Sequence, residues 1–506
     1  MGVININYNS NGIGGLVPSS DFISSFIFDS TVLPKGFSSN ERIKRIYSLQ
    51  DAVNLGIDGT SSDETKATGG KIVINTIGAV GETINFYANP ANNATQLLGS
   101  YIVKTGDVTS DVANGLNISI NNNFASTLFT STVSGSTVSL VIPTSYGISL
   151  NSTGLTASTI IGSTFVTTIT QFTAGVGSQI DLMFYTLKSY FTANNSSKVW
   201  IGIYDFSSSF DATKIAAIQT VSGGEIKQMG ILTKKTLDNV VTIINATQLV
   251  LTDQTNKHKP LSVVLGLQPG STVNSISDLI NIRSLGANQV SVTVSNGYNV
   301  TNPGYVLKGS TGLYPTDLGE LLGHVSRTKV SNSIAWVANN VTQNAEVMFV
   351  TGEKWTDISD TVIPTQIGNA GYIFEKQYLG LSGCYYDNTA TADSYVSDFY
   401  SIERRRTIDK VARISYTTLL PFLSSPIILN PANGQMSLNT CLSFINALNT
   451  QLDELKGNAE VSGYKVTIDP SQNILITKNL YINIIVVPVG TTDQITVNLG
   501  FALSIQ

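Results

Sequence analysis

At 506 residues the chain is too long for one ordinary hydrophobic core, so two to four domains are expected. An apolar share of 42% excludes wholesale disorder, and charged residues make up only 12%, with Asn, Ser, Thr and Gly in their place. With 34 acidic residues against 29 basic ones the net charge is −5, which excludes a global attraction to nucleic acid or to anionic membranes. A surface solvated by hydroxyls and amides suits a protein that buries its faces against copies of itself, and equally a β-rich protein of biased composition.

Residues 1–20 read as an N-terminal linker arm. Val3, Ile4, Ile6 and Tyr8 fall in an apolar/polar alternation with strand periodicity, and Asn9-Ser10-Asn11-Gly12-Ile13-Gly14-Gly15 reads as a flexible tether. A tethered strand cannot bury its apolar face alone and must pair with a sheet of its own chain or of a neighbour. The first residues lack the basic start and apolar run of a secretory signal. Residues 42–47 predict a strand. Ser48 and Asp51 have capping-box spacing for a short helix that Gly56 ends.

Between residues 69 and 177 the only charges are Lys71, Glu82, Lys104, Asp107 and Asp111. Short β-prone runs at 71–74, 83–87, 99–103, 137–142 and 165–169 alternate with Gly/Asn/Ser turns, and Ser134-Gly135-Ser136 is a hairpin signal. One helix is expected over 107–116. The segment predicts an inserted β-sandwich-like domain. Residues 178–330 then alternate helices (180–191, 212–221, 237–251, 276–282) with strands (198–204, 226–232, 261–265, 289–294), the pattern of a largely parallel sheet. Residues 21–68 and 178–399 together are assigned to an α/β core domain.

The C-terminal domain is assigned to 400–506. A helix over 408–422 is broken by Pro421, and Ser437 caps a second helix. In that helix Leu438, Cys441, Leu442, Ile445, Leu448, Leu452 and Leu455 recur at three- and four-residue steps, and Gly457 stops it. Strands follow at 464–468, 480–487 and 494–499. The apolar stretch 481–489 is far too short to span a bilayer. The fold class expected is α+β multidomain.

Chemistry is sparse. His258 lies in a polar loop and His324 at the end of a short helix, and a structural role is expected for each. There is no Walker-type loop, Gly-x-Ser-x-Gly, His-Glu-x-x-His or Cys-x-x-Cys. Cys384 and Cys441 read as buried free thiols rather than a framework. Asp387, Asp393 and Asp398 fit no cation loop, so no metal or other cofactor is expected. Asp205, after a strand of the α/β segment, is the best candidate for an active-site acid, against a plainer role as a turn residue. No catalytic residue is assigned, and the chain is not expected to be an enzyme. The one strong basic run is Arg404, Arg405 and Arg406, with Lys410 and Arg413. As a helix it sets Arg406, Lys410 and Arg413 on one face. That face reads either as solvated with salt bridges or as a contact for an acidic partner.

Two phrases carry a family resemblance. Arg45-Ile46-Tyr47-Ser48-Leu49-Gln50-Asp51-Ala52-Val53-Asn54-Leu55-Gly56-Ile57 is one. The other is the C-terminal order of Glu403-Arg404-Arg405-Arg406-Thr407-Ile408-Asp409-Lys410, a long amphipathic helix, Gly463-Tyr464-Lys465-Val466-Thr467-Ile468-Asp469-Pro470 and the closing strands. This arrangement resembles the tail sheath proteins of contractile bacteriophages and contractile injection systems, over about 36–58 and 400–503, with weaker support from 178–330. The resemblance implies a structural subunit that polymerises around an inner tail tube and contracts to drive it through a bacterial envelope. It implies stacked rings of the same chain whose terminal arms exchange strands, at Val3, Ile4, Ile6 and Tyr8 and at Ile495, Val497, Leu499 and Phe501. It further implies a tail tube partner for Arg404, Arg405, Arg406, Lys410 and Arg413, with baseplate and tail terminator proteins at the ends. Such a chain would be assembled in the bacterial host cytoplasm and reside in the virion tail, without direct nucleic-acid binding or membrane insertion. The alternatives are the sheath of a phage-tail-like bacteriocin or extracellular injection system, a β-rich tail fibre or adhesin, and an enzyme with an α/β core.

Overall fold

The computed structural model describes residues 21–60, 62–89, 95–142, 150, 154–159, 162–195, 197–297, 313, 315–338, 341–344, 346–431, 433–472, 474–492 and 495–497. Its centre is a six-stranded sheet in the order β13-β12-β11-β1-β10-β2. The strands are β1 (Ser24–Asp29), β2 (Ile43–Ile46), β10 (Val199–Tyr204), β11 (Gln228–Thr236), β12 (Ser262–Gln268) and β13 (Val290–Thr293). All neighbours are parallel except β2, which runs antiparallel along the β10 edge. Strands β1 and β12 are buried at every position, as expected when helices cover both faces.

Alternation along the strands separates two cores. Ile27, Met229, Ile231, Val263 and Leu265 pack under helices α4 (Thr213–Val221) and α5 (Val240–Asn256). Phe26, Phe28, Ile201, Ile203 and Val264 pack under α1 (Leu49–Asn54), α3 (Gln179–Ala193) and α6 (Leu318–Arg327). Helices α3 and α6 cross closely because α6 presents Gly319 and Gly323. A Cβ on Gly319 would lie 2.0 Å from the Thr186 carbonyl oxygen. Ser48 accepts the Asp51 N–H, completing the capping box of α1.

Residues 71–170 build two antiparallel sheets, β6-β7-β3-β9 and β5-β4-β8. They comprise β3 (Lys71–Thr76), β4 (Thr83–Ala88), β5 (Gln96–Ile102), β6 (Thr130–Ser134), β7 (Thr137–Val141), β8 (Leu155–Ser158) and β9 (Val166–Thr170). The β6–β7 turn holds Gly135 at φ +57°, where glycine avoids the strain of a side chain. Helix α2 (Thr109–Asn122) packs on strands of both sheets, and all share one hydrophobic cluster. The chain leaves and re-enters the core side by side, through bridges Thr65↔Val176 and Thr68↔Thr173.

At the C-terminal end, α7 (Ile402–Leu419) runs into a 3-10 turn at Leu420–Phe422 that contains Pro421. Helix α8 (Leu438–Gly457) starts at Ser437, whose hydroxyl accepts the Thr440 N–H. Strands β16 (Val461–Ile468) and β17 (Ile482–Pro488) form an antiparallel two-stranded sheet. Two further two-residue strands, β14 (Glu375–Lys376) and β15 (Tyr385–Tyr386), pair in the segment between. The whole is a mixed α/β structure of sheets and helices, consistent with an α+β assignment.

Three expectations are corrected. The helix over 276–282 is absent: Ile276–Asp278 makes one 3-10 turn, and Leu279 is already extended. Glu353 accepts both the Ser275 hydroxyl and the Ile276 N–H, capping the turn from outside, and buried Arg283 reaches the Gly368 and Asp393 carbonyls. The short, Ser/Asn/Ile-rich run cannot outweigh these contacts by propensity. Leu438 and Leu442 are exposed rather than part of the α8 stripe, which is carried by Cys441, Phe444, Leu448, Leu452 and Leu455. Within the strand expected at 494–499, Ile495, Thr496 and Val497 are exposed and pair with no strand among the described residues; residues 494, 498 and 499 lie outside the described residues.

Candidate functional site

The basic run opens α7, and the structure turns it inward. Arg405 forms a two-pronged pair with Asp409 one turn on, at 2.8 and 3.2 Å, and also reaches Asn288. Arg406 is buried, donates to the Thr328 carbonyl and is pushed down to about 10 by desolvation. Lys410 lies 2.7 Å from Asp21 and 2.8 Å from Glu460, and Arg413 lies 2.6 Å from the other Asp21 oxygen. Among the described residues neither Arg404 nor Arg406 makes an ion pair; the Arg404 guanidinium stacks 4.5 Å from the Tyr400 ring. Behind them Lys227 is buried against the Gly224 carbonyl, and desolvation, aided by Arg413, lowers its ammonium to about 7.

Of the two readings of this face, the geometry favours the salt-bridged one: Arg405, Lys410 and Arg413 are ion-paired within the chain and Arg406 is buried against the Thr328 carbonyl. Alternating acids explain the pairing. Asp409 sits four residues after Arg405, and Asp21 and Glu460 come from opposite ends of the sequence to neutralise Lys410 and Arg413. The cluster joins three segments: the start of β1, the α7 helix and the first residues of β16.

Beyond it, the β16–β17 hairpin shows one face to α7 and α8 and the other to solvent. Tyr464, Val466, Ile482, Ile484 and Val486 pack inward. Ile485 and Val487 point outward and are more than half exposed. Because the sheet has two strands, its outer edges have no ladder partner among the described residues. Val3, Ile4, Ile6, Tyr8, Leu499 and Phe501 lie outside the described residues.

The C-terminal edge of the parallel strands, where α/β sites form, is closed. Asp29 accepts the Phe206 and Lys234 N–H groups and the Thr233 hydroxyl. The Lys234 ammonium donates to Gln179 at 2.7 Å, and the space left is about 10 Å³. Asp205 is an exposed turn residue whose carboxylate, held below its ordinary range, accepts the Ser207 N–H. Asp387 pairs with Lys376, and Asp393 accepts Ser394 and Ser397. Among the described residues no group of three His, Cys, Asp or Glu is placed to hold a metal. Both cysteines are free and buried. No helix among the described residues is long and apolar enough to cross a membrane. His258 stacks on Tyr416 of α7 at 4.0 Å.

One polar cluster was missed by sequence reasoning. His324 is buried inside α6, 3.5 Å from Glu320 one turn earlier, and Asp317 begins the same helix. The spacing Asp317-x-x-Glu320-x-x-x-His324 puts all three near one helical face and was available in the sequence.

Residues 398–506 match the family model described as DUF2586, C-terminal domain. No curated protein sequence matches the chain. Among solved structures, the chain is similar to one from the cryo-EM structure of the anti-feeding prophage baseplate. The identity is 14% and the TM-score 0.44, over 65% of this chain and 87% of that one. It is also similar to a chain of the PVC sheath complex of an extracellular contractile injection system in the contracted state. There the identity is 12% and the TM-score 0.44, over 64% of this chain and 81% of that one.

Proposed function

We propose that the chain is a structural subunit of a contractile tail sheath, which polymerises around an inner tube and drives it forward on contraction. The observation that carries this reading is the β16–β17 hairpin, a two-stranded sheet with open edges and an outer apolar pair, Ile485 and Val487. A sheet this small is marginal alone and gains main-chain hydrogen bonds by accepting further strands. The chain carries segments suited to supply them: the alternating run 3–8 behind a glycine-containing tether, and the run from Ile495 to Phe501. Exchange of these arms between copies links subunits into a mesh. Many copies, each gaining contact on contraction, supply mechanical work without a nucleotide. The tube, baseplate and tail terminator are the partners of such a subunit, in a virion tail or in the equivalent tail of a bacteriocin or injection system. The basic run of α7 is not offered as the tube contact, because Arg405, Lys410 and Arg413 are ion-paired inside the chain and Arg406 is buried.

Deletion of residues 1–10 tests the reading. The truncated protein is expected to stay folded and to lose the ability to form sheath tubes. Normal tubes from it would end the arm-exchange account.

A further inference from the structure

Three buried carboxyl groups meet where α6, the end of β13 and residues 341–386 come together. Asp317 is 2% exposed; one oxygen accepts the Thr293 hydroxyl at 2.5 Å, and the carboxyl also faces the Tyr386 hydroxyl. Glu375 on β14 is fully buried; one oxygen accepts the Asn344 amide at 2.7 Å, and the carboxyl also faces the Thr342 hydroxyl. Its own N–H donates to Ser295 just past β13. Glu320 accepts the Gln343 N–H at 2.5 Å and faces His324. The Tyr386 hydroxyl on β15 is buried facing Asp317, its ring edge-on to His324.

We propose that Asp317 and Glu375, packed beside Glu320, form a proton-dependent lock: protonated, they hold the layer of residues 341–386 on the central sheet, and ionised, they loosen it. Ionising several carboxyls in one dry locus requires compensating cations, and the surrounding elements supply few. On α6, Arg327 donates to His324 Nδ1 at 2.9 Å, so a neutral ring carries its proton on Nε2, facing Glu320. Lys376, beside Glu375, is paired with Asp387, and Lys354 is paired with Glu346. Cys384 of the same layer is pushed up to about 12 by burial, and the charges of Glu375, Glu320 and Glu346 add to the effect. Among the described residues no Lys or Arg forms an ion pair with Asp317, Glu320 or Glu375.

Burial pushes Asp317 up to about 7, with the Glu320 charge adding, and pushes Glu375 well above its usual range, with Asp317 and Glu320 adding. Both groups are raised in the folded state above their unfolded values of about 4. Their stabilising contribution is complete below that unfolded value. It declines as pH rises, through about 7 for Asp317 and further for Glu375. Each unit of pH inside that window changes the opening equilibrium of the layer by about tenfold per group.

The test is hydrogen exchange on the full chain at pH 5, 7 and 9, as protection factors corrected for intrinsic rates. The lock predicts that protection of 341–386 falls by at least about tenfold from pH 5 to pH 7, while α4 and α5 change little. Asp317→Asn and Glu375→Gln should flatten that fall, and Asp205→Asn, at an exposed turn, should not. Wild-type protection that falls equally in α4 and α5, or an unchanged slope in both isosteric variants, would overturn the proposal. Should neither variant fold, infrared spectra of the wild type decide. A protonated carboxyl band persisting at pH 6 supports the lock, and its absence refutes it.

Discussion

Replacing Asp21 by Asn should release the C-terminal helix from the core. One carboxylate holds Lys410 at 2.7 Å and Arg413 at 2.6 Å, and the three side chains are only 14–20% exposed. Exposed ion pairs contribute about 0.2–1 kcal/mol, whereas breaking a fully buried one costs about 3–5 kcal/mol. Two pairs at this intermediate burial place the loss near 2 kcal/mol, about a thirtyfold rise in local opening. The amide of Asn keeps the shape and one acceptor, so packing is not disturbed. The loss should concentrate in the first half of α7 and in β16, because Lys410 also binds Glu460 at the start of the hairpin. Asp21 further helps keep the Lys227 proton, so the variant should lower that ammonium beyond its present value of about 7. Hydrogen exchange resolved to 402–413 and 461–468 measures the effect, with urea unfolding as the global check. A change below about 0.5 kcal/mol at those peptides, or an equal change in β3–β9, would refute the ion-pair reasoning.

Three other substitutions probe the architecture. Gly319→Ala should cost about 3 kcal/mol or more in thermal or urea unfolding, because its Cβ would meet the Thr186 carbonyl at 2.0 Å, and backbone cannot yield as a side chain can. Ile485→Lys with Val487→Lys should leave monomer stability within about 0.5 kcal/mol, since both side chains are more than half exposed, yet abolish tube formation seen by electron microscopy. Replacing residues 69–172 by a short Gly-Ser turn should leave a folded α/β core with native circular dichroism in its helices. The flanking segments are already hydrogen-bonded through Thr65–Val176 and Thr68–Thr173, and the excised cluster is separate from the two cores of the central sheet.

The parallel sheet was legible because its strands are continuous apolar runs separated by amphipathic helices, and strands 198–204 and 261–265 were placed within a few residues of β10 and β12. Capping chemistry was equally readable at Ser48 and Ser437. The helix at 276–282 failed because its competitor, Glu353, lies 77 residues away from Ile276 in sequence. The two readings of the basic run could not be separated for a related reason. Its charges look free in a local window, yet Asp21 neutralises Arg413 across a separation of 392 residues. The carboxyl cluster escaped because two of its members, Asp317 and Glu320, read as ordinary polar positions of α6, and Glu375 reaches them only through the fold. Strand pairing of the terminal arms has no signal in the sequence beyond alternation, which does not specify the sheet that would accept them.

Negative-stain electron microscopy of the purified full-length protein, with and without its tube protein, tests the assembly claim most directly. The account predicts hollow, helically ribbed tubes, at the least on the tube template. Monodisperse compact particles at high concentration with the tube protein present would contradict it.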